Sequence, residues 1–269
     1  MRVLWLAVAS FLFIGFCVAT TPACDIFVSP TGSDTASCGL TKANPCRTIK
    51  EAVNRVSGRD SQLLCLLPSD TVSFECSDVF INNSIHIIGD NPASTIIDCK
   101  GSSRAFTISS GSYANVSLSG LTIANGNASE PQGGTVRLLA DGDVYLRLKG
   151  CRFINNTGGA VSAMRAKSGG KGGSVFVDNC VFEGNSVGRA SNNSDLVVHQ
   201  QGGAISVIYG ITVAVKDSAF LHNFANSYGG AISLEDCGDV VRTIYRSDQH
   251  KRRLTMPLKG YYRIEVLSK

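Results

Sequence analysis

The sequence predicts an all-β solenoid, a parallel β-helix that winds short strands around one apolar core and carries a short helix ahead of its first coil. Three observations predict it. A Phe-x-x-Asn element recurs, a Gly-Gly pair opens a β-branched stretch after each copy, and the composition suits little else. Of 269 residues 17% are charged, 43% are hydrophobic, 28 are Gly and 7 are Pro. The low charged content is unlike that of a coiled coil. The hydrophobic content and a net charge of only +4 exclude a disordered chain.

Residues 1–19 come first. Met1-Arg2 precedes an apolar run from Val3 to Ala19, the pattern of a secretory signal peptide. Cleavage fits after Ala19 or Ala23. An uncleaved membrane anchor is the competing reading, since the run approaches the roughly 17-residue minimum span. No later stretch is apolar for long enough to cross a bilayer. Cleavage removes Trp5, the only Trp, and leaves Cys24, Cys38, Cys46, Cys65, Cys76, Cys99, Cys151, Cys180 and Cys237. So many Cys in an exported chain predict disulfides, and the odd number leaves one free or bonded to another chain. No C-x-x-C pair offers a structural zinc site. Sequons at Asn82, Asn115, Asn127, Asn155 and Asn192 are candidate glycan sites.

Residues 20–60 read as an N-terminal cap. Thr48-Ile-Lys-Glu51 matches a capping box. Ile49, Ala52, Val53 and Val56 then fall on one helical face. A short amphipathic helix there would cover the open apolar end of the stack. Ser84-Ile-His-Ile-Ile-Gly89 and Ser94-Thr-Ile-Ile-Asp-Cys99 follow as strands of the first coils.

Residues 61–238 hold the repeats, enough for about seven coils. Leu148–Asn156, Val177–Asn185 and Val215–Asn223 align, with Leu234-Glu-Asp-Cys237 as a truncated copy and Leu118–Asn125 as a weaker one. Gly158-Gly-Ala-Val, Gly202-Gly-Ala-Ile and Gly229-Gly-Ala-Ile supply the second element, with Gly133-Gly-Thr-Val and Gly172-Gly-Ser-Val as variants. No unit can bury its own apolar face, so the units must stack. Gly supplies positive-φ bends, and Asn tolerates left-handed turns and can ladder between coils. Phe153, Phe182 and Phe220 lie 29 and 38 residues apart, and the excess falls in polar Ser186–Gln201, read as an excursion from one coil.

Asp25-Ile-Phe-Val-Ser-Pro-Thr-Gly-Ser33, then Asn44-Pro-Cys-Arg-Thr-Ile-Lys-Glu-Ala52, resembles the N-termini of right-handed parallel β-helix (pectin-lyase-like) proteins. The alternating elements at 153–161, 182–205 and 220–232 resemble polymorphic outer-membrane protein repeats. The resemblance covers about residues 25–237. It implies a right-handed helix serving as a stalk or adhesin. This chain is too short to hold the anchoring β-barrel and so resembles a free secreted version. Enzymes of that superfamily carry motifs missing here: N-T-D, D-D and G-H-G, or Q-D-T and G-R-P-W, or an Asp cluster with an Arg base.

Residues 239–269 leave the pattern. They hold eight basic and three acidic residues, whereas 20–238 hold 16 and 18. The basic tail reads as a segment for acidic glycans or a membrane surface, as a solvated cap, or as a departure from the native product.

Aligned repeats place Lys149, Asp178, Lys216 and Glu235 at one outward position of successive coils. An ion-pair ladder is the favoured reading. A lyase site with Lys as base and carboxylates holding a cation is the alternative. Asp217 and Asp236 occupy the next position and form a weak Ca²⁺ candidate, well short of six ligands. Cys151 and Cys180 coincide in adjacent coils and predict a disulfide, which leaves Cys237 unpaired. His86, His199, His222 and His250 lack metal spacing.

The expectation is therefore a secreted, disulfide-bearing, non-catalytic module for adhesion or glycan binding, extracellular or associated with the cell surface. Its partner would be an extracellular glycan or surface protein, with no nucleic acid and no resident cofactor. A polysaccharide lyase or hydrolase, and a fragment of a larger surface protein, are the alternatives.

Overall fold

The computed structural model describes residues 23–56, 61–128, 133–165, 172–188, 202–226, 229–235, 240–247 and 264–266. The proposed signal segment, Asn192, Asp236 and Cys237 lie outside them.

The fold is a right-handed parallel β-helix. Its first face carries the strands Gln62–Leu66, Ile85–Gly89, Tyr113–Ser119, Asp143–Lys149 and Ser174–Asp178, then the front half of Thr212–Leu221. The second face carries Phe74–Glu75, Ile96–Asp98, Thr122–Ala124, Arg152–Ile154 and Val181–Glu183, then the back half of Thr212–Leu221. Because that last strand rounds the corner, the two faces form one 14-stranded sheet. The third face is a six-stranded sheet from Val79–Ile81 to Ile232–Glu235. Every ladder between these strands is parallel, as a chain rising one coil per turn requires.

Alternation fixes what each face buries. On the first face Val144, Leu146, Leu148, Val175, Val177, Val213 and Val215 point inward and are buried, so their neighbours point outward. The second face contributes a column of rings: Phe153, Phe182 and Phe220 stack at 4.8 and 4.9 Å between centroids, with planes within 4°. That spacing is the strand separation itself.

The Asn of each Phe-x-x-Asn is buried and extends the column. Asn156 Nδ2 donates to Asn185 Oδ1 at 2.8 Å and Asn185 Nδ2 to Asn223 Oδ1 at 2.9 Å. The same oxygens accept from the backbone N–H of Asn156 and Asn185 at 3.1 and 3.0 Å. Each bend is thus satisfied by the next coil. Residues in the left-handed region hold the corners, among them Gly150 and Asn179 between the first two faces and Asn155 and His222 after the second. Gly158 is required twice over, since its φ is +86° and a Cβ would lie 2.0 Å from the Ala128 carbonyl oxygen.

The helix is Ile49–Asn54, with Thr48 Oγ1 accepting from Glu51 N as the capping pattern predicts. Ile49 and Ala52 are buried in the core. Among the described residues three disulfides, Cys24–Cys65, Cys38–Cys46 and Cys76–Cys99, all belong to the N-terminal part.

Two alignments are corrected. Leu234 and Glu235 pair with Val207 and Ile208, so they belong to the third face and are not a copy of Leu148-Lys149. The strand that follows Thr212–Leu221 on the first two faces is Val240–Ser247, which is joined in turn by Ile264–Val266. Gly172-Gly173 opens the first face, whereas the other Gly-Gly pairs open the third. The motif marks a tight corner, and more than one corner is tight.

Candidate functional site

Lys149, Asp178 and Lys216 do stand in register on adjacent strands of the first face. Glu235 does not join them, because it sits on the third face. The predicted ladder is not made: Lys216 pairs with its own neighbour Asp217 at 3.6 Å, and no ion pair links Lys149 to Asp178 among the described residues. Asp217 occupies a left-handed corner.

Cys151 and Cys180 are neighbours in adjacent coils, but both are buried free thiols and the predicted bridge is absent. Their sulfurs serve the corner instead. Cys151 Sγ donates to the Leu118 carbonyl at 3.3 Å, and Cys180 Sγ accepts from Cys151 N at 3.4 Å. Cys180 Sγ also donates to the Asp178 carbonyl at 3.3 Å. One coil on, the Ser218 hydroxyl makes the same two bonds, accepting from Cys180 N at 3.0 Å and donating to the Lys216 carbonyl at 2.8 Å. A disulfide would remove both S–H donors from these carbonyls. Contact with Cys151, then burial, pushes the Cys180 thiol up.

Asp34, Cys38 and Cys46 cluster closely. The two sulfurs are bonded to each other, and Asp34 accepts from the backbone N–H of Arg47 and Thr48 and from the Thr48 hydroxyl. The cluster is a structural knot with no thiolate to offer a metal.

Of the sequons, Asn82, Asn127 and Asn155 are exposed, while Asn115 is half-buried in mid-strand.

The outward side of the first face carries a set that the aligned repeats did not suggest. Tyr113 and Tyr145 lie with ring centroids 5.8 Å apart. Two residues along the same strand as Tyr145 the Arg147 guanidinium rests 4.6 Å from the centroid of Phe176. Register lines up His86 with Ser117, Ser117 with Arg147, and Arg147 with Phe176. Beside Tyr145 stands Asn115, whose Oδ1 is buried without a hydrogen-bond partner. Burial, and then the charge of Arg147, hold the His86 imidazole below its ordinary pKa. The result is a strip of two tyrosines, a ring-backed guanidinium and a row of short polar groups.

The chain is similar to the Metabotropic glutamate receptor-like protein P of Dictyostelium discoideum, with 28% identity over 211 residues, 77% of this chain. The chain spans only 14% of that protein's length. No family model and no solved structure matches. Three disulfides mark a protein that matures in an oxidising compartment. No helix among the described residues is long and apolar enough to cross a membrane.

Proposed function

We propose that the chain is an extracellular, non-catalytic binding module that holds a glycan on the outer side of its first face. The observation that carries this reading is the strip of Tyr113, Tyr145, Arg147 and Phe176 on the outward side of one parallel sheet. Aromatic rings present apolar area to the C–H faces of sugars at little entropic cost, and the short polar groups beside them can bond hydroxyls. Three disulfides support export, and exposed Asn82, Asn127 and Asn155 are proposed to carry glycans outside the strip. The likeness to one stretch of a much longer protein named as receptor-like supports a part in recognition within a larger surface protein.

The test is retention of purified protein on a panel of neutral and acidic polysaccharides, with Tyr145→Ala beside the wild type. Retention weakened severalfold by the substitution is the expected result. If the panel is depolymerised, the module is an enzyme; if nothing is retained, the strip is not a glycan site.

A further inference from the structure

Arg147 is set apart from Lys149 and Lys216 on the first face by the ring it rests on. Lys216 has Asp217 at 3.6 Å. Arg147 has no carboxylate within ion-pair distance among the described residues, and its described close contact is with Phe176 below it. A guanidinium seated over a ring still has its N–H fork to offer, and that fork can receive a carboxylate or sulfate on two parallel bonds. The ring beneath attracts the cation and restricts the rotamers it would otherwise lose on binding.

The groups next to it extend the site in one direction. Ser117 is the register neighbour of Arg147, and His86 that of Ser117. Neither side chain has a hydrogen-bond partner among the described residues. Three coils therefore present hydroxyl, imidazole and guanidinium in one row at about the strand spacing of 4.8 Å. Tyr145 and Tyr113 border that row on one side. Asp143, Lys149 and Asp178 are the charged residues nearest on the same and the following strand, and Asp143 carries an interaction of its own.

We infer that this row is an anion subsite, in which Arg147 holds the carboxylate or sulfate of an acidic polysaccharide while the adjacent sugar lies on Tyr145. Ser117 and His86 accept or donate the next bonds along the chain. The inference deepens the proposed glycan-binding role and rests on it.

Three polymers of one backbone provide the test: dextran, carboxymethyl dextran and dextran sulfate, titrated at low salt against the full chain. The expected result is binding of both charged polymers and little of dextran, with Arg147→Ala losing about tenfold or more, the size of a charge-assisted hydrogen bond. Arg147→Lys should fall between, because a point charge remains without the fork. Lys216→Ala removes the same charge from the far corner of the same face and should stay within about twofold, as exposed charges do. Whichever charged polymer binds more tightly names the source of the anion. An Arg147→Ala variant within about twofold of wild type, or an equal loss from Lys216→Ala, would overturn the inference. Dextran bound as tightly as its charged forms would overturn it and leave the glycan module standing. If no dextran and no other polysaccharide is retained, both readings fall together.

Discussion

His86 carries its proton balance into the stability of the whole fold. Burial and Arg147 lower its pKa from an ordinary 6.5. An unfolded chain then binds more protons than the folded one as pH drops through and below that value, so stability is lost on the acid side. The urea midpoint of wild type should fall more steeply between about pH 7 and pH 5 than that of His86→Gln, which cannot titrate. Parallel slopes would show that the imidazole is as easily charged in the fold as out of it. The Cys151–Cys180–Ser218 column makes a related point. Sulfur and oxygen exchange places there because the corner asks for one donor and one acceptor on a short side chain. Coincidence of two Cys in aligned repeats was legible; the hydrogen-bonding task that keeps them apart was not.

Among elements, the Phe-x-x-Asn corner matters most. Asn185 accepts from two groups of Asn156 and donates to the Phe153 carbonyl at 3.0 Å and to Asn223. Asn185→Ala would leave several buried groups unpaired, at about 1–3 kcal/mol for each. Denaturant unfolding should register a loss of roughly 3 kcal/mol or more, near that of Phe182→Ala; a loss below 1 kcal/mol, roughly, would mean water replaces the amide. These columns could be read in advance because identical residues recur 29 and 38 apart and parallel register stacks them. The chain's third face could not be told from its first in the same way. Leu234-Glu235 copies the pattern of Leu148-Lys149, and only strand pairing assigns it elsewhere. The strip of Tyr113, Tyr145, Arg147 and Phe176 stayed hidden because it crosses three strands diagonally and no two of its members are the same repeat position except Arg147 and Phe176.

For the molecule as a whole, bond strength is uneven along the axis. Cys24–Cys65 ties the N-terminal stretch to the first face, and Cys76–Cys99 ties two neighbouring coils. From residue 100 onward no disulfide joins the described residues. Solenoids open by neighbouring units, so amide exchange should be slowest in Ile85–Gly89 and fastest in Thr212–Leu221 and Ile232–Glu235. Reduction of the disulfides should flatten that gradient; a uniform profile before reduction would mean that the coils open as one body.

The same asymmetry would set an order of opening under an applied pull. A pull along the axis should open the layers without disulfides before the cystine-bound ones. Arg147 and Phe176 lie on the two strands that pair with each other before Thr212–Leu221 is reached. A ligand held across those two strands would couple their layers, and the layers beyond them would then open on their own.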